Sequence, residues 1–307
     1  MSPALKLSVA TPVVTLVPGA HARWEEDAGI EEIARVAEVA DDLGYHHLTC
    51  SEHIGLPVTE AGRRGATYWD PLATFGFLAG RTRRIRFATN VLVLGYHHPL
   101  EIAKRYGTLD RVTGGRLILG VGVGTLREEF DLLGAPFEDR GARADDALRA
   151  LRTSLSTREP AYHGDHYSFG GLVVDPCAVQ GEVPIWVGGR TLRSLRRAVS
   201  LADGWAPFGI SSATAAVWLA RCDLPEGFEV GLRPGRPLDP GAEPGETTER
   251  LAGLRDDGAT IVSAEVVHHS LAHLLEQLEA LVTLGGSTAT CAGDDSPTGR
   301  EPPGRRA

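Results

Sequence analysis

Cysteine is scarce in this chain. Its 307 residues hold four, Cys50, Cys177, Cys222 and Cys291, far apart and with no Cys-x-x-Cys pair. That spacing argues against a disulfide framework or a structural zinc site and suits a reducing compartment. Long apolar runs are also missing: none approaches the ~20 residues of a membrane-spanning helix. The start, Met1-Ser2-Pro3-Ala4-Leu5-Lys6, lacks the basic and apolar regions of a signal peptide. Basic residues are outnumbered, with 31 Lys and Arg against 40 Asp and Glu for a net charge of −9. Such a balance argues against a broad footprint for nucleic acid or an anionic membrane. Neither a Gly-x-Ser-x-Gly elbow nor a P-loop is present. The adjacent pairs His46-His47, His97-His98 and His268-His269 invite a metal reading. Neighbours on a strand point to opposite faces, however, so no metal is expected. What remains is an ordinary globular composition, 42% hydrophobic and 23% charged, which fits a cytoplasmic enzyme acting on a small molecule.

The pattern that is present alternates short β-branched runs with amphipathic helices. Strands are expected at 5–9, 46–49, 85–94, 116–121 and 184–187, with shorter ones at 204–206, 228–231 and 260–262. Helices are expected at 24–43, closed by Gly44, then at 71–81, 99–112, 142–155 and 192–201. A last helix starts after Ser270 with the stripe Leu271, Leu274, Leu275, Leu278 and Leu281. Eight strands alternating with helices predict a (β/α)8 TIM barrel. The rhythm breaks once, so residues of about 125–183 are expected to form an insertion over the catalytic mouth. The barrel domain is expected over 1–285, with 286–307 a disordered Gly/Pro/Ser/Thr/Arg tail.

Barrel enzymes carry their chemistry at the C-terminal ends of strands. Past strand two stand Glu52 and His53, a carboxylate beside an imidazole that titrates near neutral pH, suited to acid/base work or to a structural hydrogen bond. Strand three ends on Asn90 and Val91, where an amide could meet a flat polar ligand or a core neighbour. Strand four runs into Gly122-Val123-Gly124, whose alternate glycines allow a ligand close to the backbone. Thr125 breaks the dinucleotide-binding pattern there. Strand five is followed by Gly188-Gly189-Arg190-Thr191 at a helix start, where free N–H groups and the dipole suit a phosphate. Arg193, Arg196 and Arg197 add positive charge, or form a solvated basic face. Phe130, Phe137, Tyr162, Tyr167, Phe169 and Phe208 are either packing residues or the wall of an apolar pocket.

Taken in order, these segments resemble the bacterial luciferase-like monooxygenase family, most closely its coenzyme F420-dependent branch. The resemblance spans roughly residues 5–285. It rests on Asp42-Leu43-Gly44-Tyr45, Ser51-Glu52-His53, Ala88-Thr89-Asn90-Val91-Leu92-Val93, His98-Pro99 and Thr108 to Leu117. It continues through Leu119 to Gly124, Glu129-Phe130, Pro184 to Gly189 and Ala202-Asp203-Gly204-Trp205. The resemblance implies a luciferase-like TIM barrel with a flavin-type ring at its C-terminal mouth and a non-prolyl cis peptide joining Asn90 to Val91. It implies that Gly188, Gly189, Arg190 and Thr191 hold the cofactor phosphate, and that Gly122, Val123 and Gly124 line the same pocket. His53 would move a proton, with Glu52 orienting it. The cofactor is expected to be F420, for hydride transfer at the deazaflavin carbon to or from a small organic substrate. With FMN instead, the barrel would be a monooxygenase using O2 and reduced flavin from a partner reductase. A third alternative is a non-catalytic flavin-binding barrel. A homodimer is implied by the family alone.

Overall fold

A helix forms where apolar residues recur every three to four positions between capping signals, and Ile30–Asp42 shows how. Ile33, Ala34, Val36, Ala37, Val39 and Ala40 are buried on one side, and Gly44 follows the last turn at φ +78°. The expected single helix over 24–43 is interrupted, because carboxylates fold back on the main chain. Glu25 accepts from the N–H groups of Ala22 and Val13, both at 2.8 Å, so Arg23–Glu26 closes as a 3-10 turn. Glu32 then accepts from the Gly29 N–H at 2.8 Å and starts the α-helix afresh.

The computed structural model describes residues 5–285 and shows eight parallel strands closed into a barrel. They are β1 (Lys6–Val9), β2 (His47–Cys50), β3 (Arg86–Thr89), β4 (Leu117–Gly122), β5 (Ile185–Gly189), β6 (Gly204–Pro207), β7 (Glu229–Leu232) and β8 (Ile261–Ala264). Each pairs with the next, and β1 closes on β8 with Lys6 opposite Ile261 and Val9 opposite Ala264. The eight expected strands are all present. The third is shorter than 85–94: it ends at Thr89, the Asn90–Val91 peptide is cis, and the chain pairs again at Leu92–Val93, against Val121 and Gly122 of β4. Helices at Ser212–Leu219 and Pro244–Asp256 fill the positions after β6 and β7. Neither has a clear apolar stripe: the first is Ala-rich, and the second buries only Thr247, Leu251 and Leu254.

The segment between β4 and β5 departs from the expected lid. Only its first part, around Gly124, Thr125, Glu138, Arg140 and Gly141, reaches the barrel mouth. Arg140–Ser154 is a regular barrel helix, packed between the helices Pro99–Thr113 and Leu192–Leu201. The hairpin Tyr162–His163/Ser168–Phe169 is tied to that helix, where the Asp146 carboxylate accepts from the Tyr162 hydroxyl and the His166 and Tyr167 N–H groups. From there the chain descends the flank of Pro99–Thr113, where the Asp110 carboxylate accepts from Val179 and Gln180 N–H. Tyr162, Tyr167 and Phe169 thus pack on the outside of the barrel, near His98. The expected tail, 286–307, lies outside the described residues.

Candidate active site

The C-terminal ends of the strands open into a cleft of about 710 Å³. Eleven of the singled-out residues line it: Glu52, His53, Asn90, Val91, Gly122, Val123, Gly124, Gly188, Gly189, Arg190 and Thr191. The chain topology is the cause, because they stand at the ends of four strands, β2, β3, β4 and β5, and parallel closure carries all eight strand ends to one rim.

The two carboxylates near His53 have different roles from those adjacency suggests. Glu52 turns away from its neighbour. Its carboxylate accepts from the Val93 N–H and from His97 Nε2, both at 2.7 Å, and so anchors the chain beyond the cis peptide. Burial depresses the basicity of His97, but the bond to Glu52 outweighs it and leaves that imidazole more basic than usual. His53 is held from the segment after β4, its Nδ1 lying 2.8 Å from Glu129 on the helix Arg127–Leu132. Glu129 is only 1% exposed. It also accepts from Ile54 N–H at 2.6 Å, Gly55 N–H at 3.2 Å and the Tyr96 hydroxyl at 2.7 Å. Burial pushes its carboxyl up, yet the bonds from His53 and Tyr96 prevail and hold it below the usual carboxylate range. Against an ionised acceptor the imidazole presents Nδ1–H, which leaves Nε2 as the nitrogen available to a ligand. Glu129 stood in the resemblance motif, but its partnership with a residue 76 positions away had no local signal.

The alternate glycines serve a packing purpose. A Cβ on Gly122 would come within 2.6 Å of Val91 Cγ2, and one on Gly188 within 2.6 Å of Val91 Cγ1. The two strands therefore grip the Val91 side chain between them, and the close approach expected of a ligand is made by protein. Val91 is placed by this grip, by Ser51 Oγ donating to the Asn90 carbonyl at 2.8 Å, and by Asn90 N–H donating to Cys50 O at 2.8 Å.

On the far side of the cleft Thr191 caps the helix Leu192–Leu201, its hydroxyl accepting from Ser194 N–H at 3.3 Å. Arg190 and Arg193 stand exposed at this helix start. Arg140 is fixed by the carbonyls of Gly124 and Phe137 at 3.1 and 3.0 Å and lies 3.7 Å over the Phe137 ring. The cleft is thus electrically divided, with buried carboxylates behind His53 and guanidinium groups around Thr191. Of the six aromatic candidates, Phe208 lines the cleft, and Phe130 packs on Tyr96 and Phe137 beside it.

The histidine pairs depart from strict alternation. His46 precedes β2, so the two-residue rule does not yet bind it, and its Nδ1 lies 2.9 Å from that of His47. His269 and His273 carry the i,i+4 spacing of a ligand pair and face each other at 4.2 Å. Among the described residues no three metal-binding side chains converge. Nor is any described helix long and apolar enough to cross a membrane.

Three likenesses bear on this site. An uncharacterized protein of Mycobacterium tuberculosis is 32% identical over 182 residues, covering 55% of this chain and 62% of that protein. The 4-hydroxyprotoasukamycin monooxygenase of Streptomyces nodosus subsp. asukaensis is 36% identical over 137 residues, 44% of this chain and 35% of that enzyme. The matches thus span about two thirds or less of these relatives' own lengths. Among solved structures, an F420-dependent secondary alcohol dehydrogenase in complex with an F420-acetone adduct superposes with a TM-score of 0.72 at 11% identity, over 93% of this chain and all of that one. The model of the luciferase-like monooxygenase family matches residues 11–233, from just after β1 through the end of β7. This chain belongs to the luciferase-like monooxygenase family of oxidoreductases.

Proposed function

We propose that this enzyme is an F420-dependent oxidoreductase that moves a hydride between the deazaflavin and a small organic substrate. The observation that carries the reading is the imidazole of His53, presented to the cleft with its back held by buried, ionised Glu129. Hydride transfer to or from a carbonyl-type centre needs a matching proton, and a positioned imidazole supplies one at neutral pH.

The lining fits a flavin-type cofactor. A cleft of about 710 Å³ has room for the ring, and Val91 offers it an apolar, rigidly held face between Gly122 and Gly188. Gly188, Gly189, Arg190 and Thr191 would hold the phosphate at the start of the helix Leu192–Leu201, where N–H groups and guanidinium charge converge. When bound, the deazaflavin supplies hydride chemistry at carbon rather than chemistry with oxygen. His53 Nε2 would hold or release the proton. Glu129 would keep Nδ1–H in place and stabilise the imidazolium form. Glu52 would act on position alone, by fixing Val93 and His97 behind the ring site. The residue assignments, including Asn90, Val123 and Gly124 as pocket lining, belong to this reading.

A second reading, an FMN-dependent monooxygenase fed by a separate reductase, is favoured by the likeness to 4-hydroxyprotoasukamycin monooxygenase. Calorimetric titration with oxidised F420 and with FMN separates the two. Micromolar binding of F420 with weak FMN binding is expected. Tight FMN binding without F420 binding, together with oxygen uptake on adding reduced FMN, would overturn the first reading.

A further inference from the structure

Most arginines of the cleft stand at its Thr191 end, and one does not. Arg64, the last residue of the short helix Val58–Arg64 after β2, lines the cleft on the side of His53. The chain holds this position firmly. The helix stops at Gly65, where φ is +81° and a Cβ would lie 1.9 Å from Leu16 O, so glycine lets the loop after β1 close on it. Beyond Gly65 the two segments pair. Leu16 N–H donates to Thr67 O at 3.2 Å and Trp69 N–H to Val14 O at 2.9 Å, with Thr15 bridged to Tyr68 between them. The Tyr68 hydroxyl donates to Arg64 O at 2.8 Å, and its ring meets His53 edge-on, centroids 4.5 Å apart. Val14, Val17 and Tyr68 thus form an apolar wall joining Arg64 to His53 along the cleft.

The charge of Arg64 is not spent inside the protein. Its Nε donates to Glu60 Oε2 at 3.0 Å, but the same oxygen accepts from Arg63. Two guanidinium groups share one carboxylate, which leaves the trio with a net charge of about +1 at neutral pH. Among the described residues the terminal nitrogens of Arg64 have no hydrogen-bond partner, and the side chain is 27% exposed. A planar fork with free N–H groups, partly sheltered from water, suits a carboxylate.

We propose that Arg64 is a specificity-determining residue that binds a carboxylate of the substrate, so that the small molecule brought to His53 is an organic acid with an apolar body. This rests on the reading above, in which His53 serves the substrate of a deazaflavin enzyme, and adds the class of that substrate. Arg64 sets which molecule is held, the Val14–Tyr68 wall takes its apolar part, and the imidazole keeps its part in moving the proton.

The test compares acids with their neutral amides of nearly equal shape: acetate with acetamide, benzoate with benzamide, and phenylacetate with phenylacetamide. Each is titrated into the full chain and followed by ligand-observed NMR, with F420 titrated separately by calorimetry. At least one acid is expected to bind about tenfold tighter than its amide, as a charge-assisted pair allows. Arg64→Gln is expected to abolish that ratio, and Arg64→Lys, which keeps the charge without the fork, to retain part of it. No acid preferred over its amide would overturn the assignment. A preference that survives Arg64→Gln would do the same, by placing the anion at the Thr191 end. Equal losses of acid and amide in Arg64→Gln would make Arg64 a packing residue and also overturn it. F420 binding without an acid preference would leave the deazaflavin reading standing and remove this one. An Arg64-dependent preference without F420 binding would do the reverse.

Discussion

The barrel carries histidines at both its ends and treats them in opposite ways. At the mouth, His53 and His97 each face a buried carboxylate, Glu129 and Glu52. At the floor, His46 and His47 meet each other and the Trp186 ring, with centroids 5.1–6.3 Å from the indole, and the nearest charges are the cations Lys6 and Arg86. Burial followed by those cations pushes His46 down to about 3, and the fully buried His47 well below the ordinary imidazole range. One residue type thus gains an ionic partner at the mouth, which leaves His97 more basic than usual, and none at the floor, where His46 and His47 stay neutral. The partner decides the role.

The comparison breaks most sharply at His53. His53→Ala is expected to lower turnover by about 10²- to 10⁴-fold with cofactor affinity within a few-fold. Steady-state kinetics beside a binding titration check this, and equal losses in both would make His53 a binding residue. Removing the partner should be felt in the fold as well. Glu129→Ala strands the N–H groups of Ile54 and Gly55 and the Tyr96 hydroxyl, and is expected to destabilise the protein by about 3 kcal/mol in denaturant unfolding.

Acid sharpens the contrast between the ends. His46 and His47 are depressed in the folded state, so below about pH 6.5 the unfolded chain binds protons that the folded chain refuses. Stability must then fall as pH drops from about 6.5 toward 3, with His46 alone worth on the order of 3 kcal/mol by pH 4. His97 has the opposite sign: its raised value stabilises the fold below about pH 6.5, and that contribution is lost as pH rises through the folded value. Urea unfolding at several pH values should show His46→Phe flattening the acid loss and His97→Phe leaving it in place.

The smallest expected effect concerns the Val91 grip. Gly122→Ala should cost about 1–3 kcal/mol by forcing a methyl group into Val91, and adding Val91→Ala should restore much of it. If the double variant is no more stable than the single one, the clash lies elsewhere.

Much of this architecture could be read from local signals. The apolar period over 30–42 and 99–113, Pro99 at a first turn and glycines after the last turns mark helices without reference to anything distant. The loops after β2, β3, β4 and β5 share one cleft because parallel closure leaves them no other place. Three features had no local trace. Helix 24–43 broke because Glu25 found Val13, and the expected lid became an outer flank because Asp146 and Asp110 captured its backbone. Glu52 seemed to serve its neighbour His53, yet successive residues point apart and it reached His97 instead.

By itself, then, the chain's order of strands, helices and glycines determined a (β/α)8 barrel and which eleven residues would meet at its rim, since periodicity and caps act within a few residues. Only the tertiary structure decided which carboxylate stands behind which histidine, and that the glycines at the ends of β4 and β5 hold a valine. Those pairings join residues as far apart as 53 and 129, and closing the barrel is what brings them within hydrogen-bond distance.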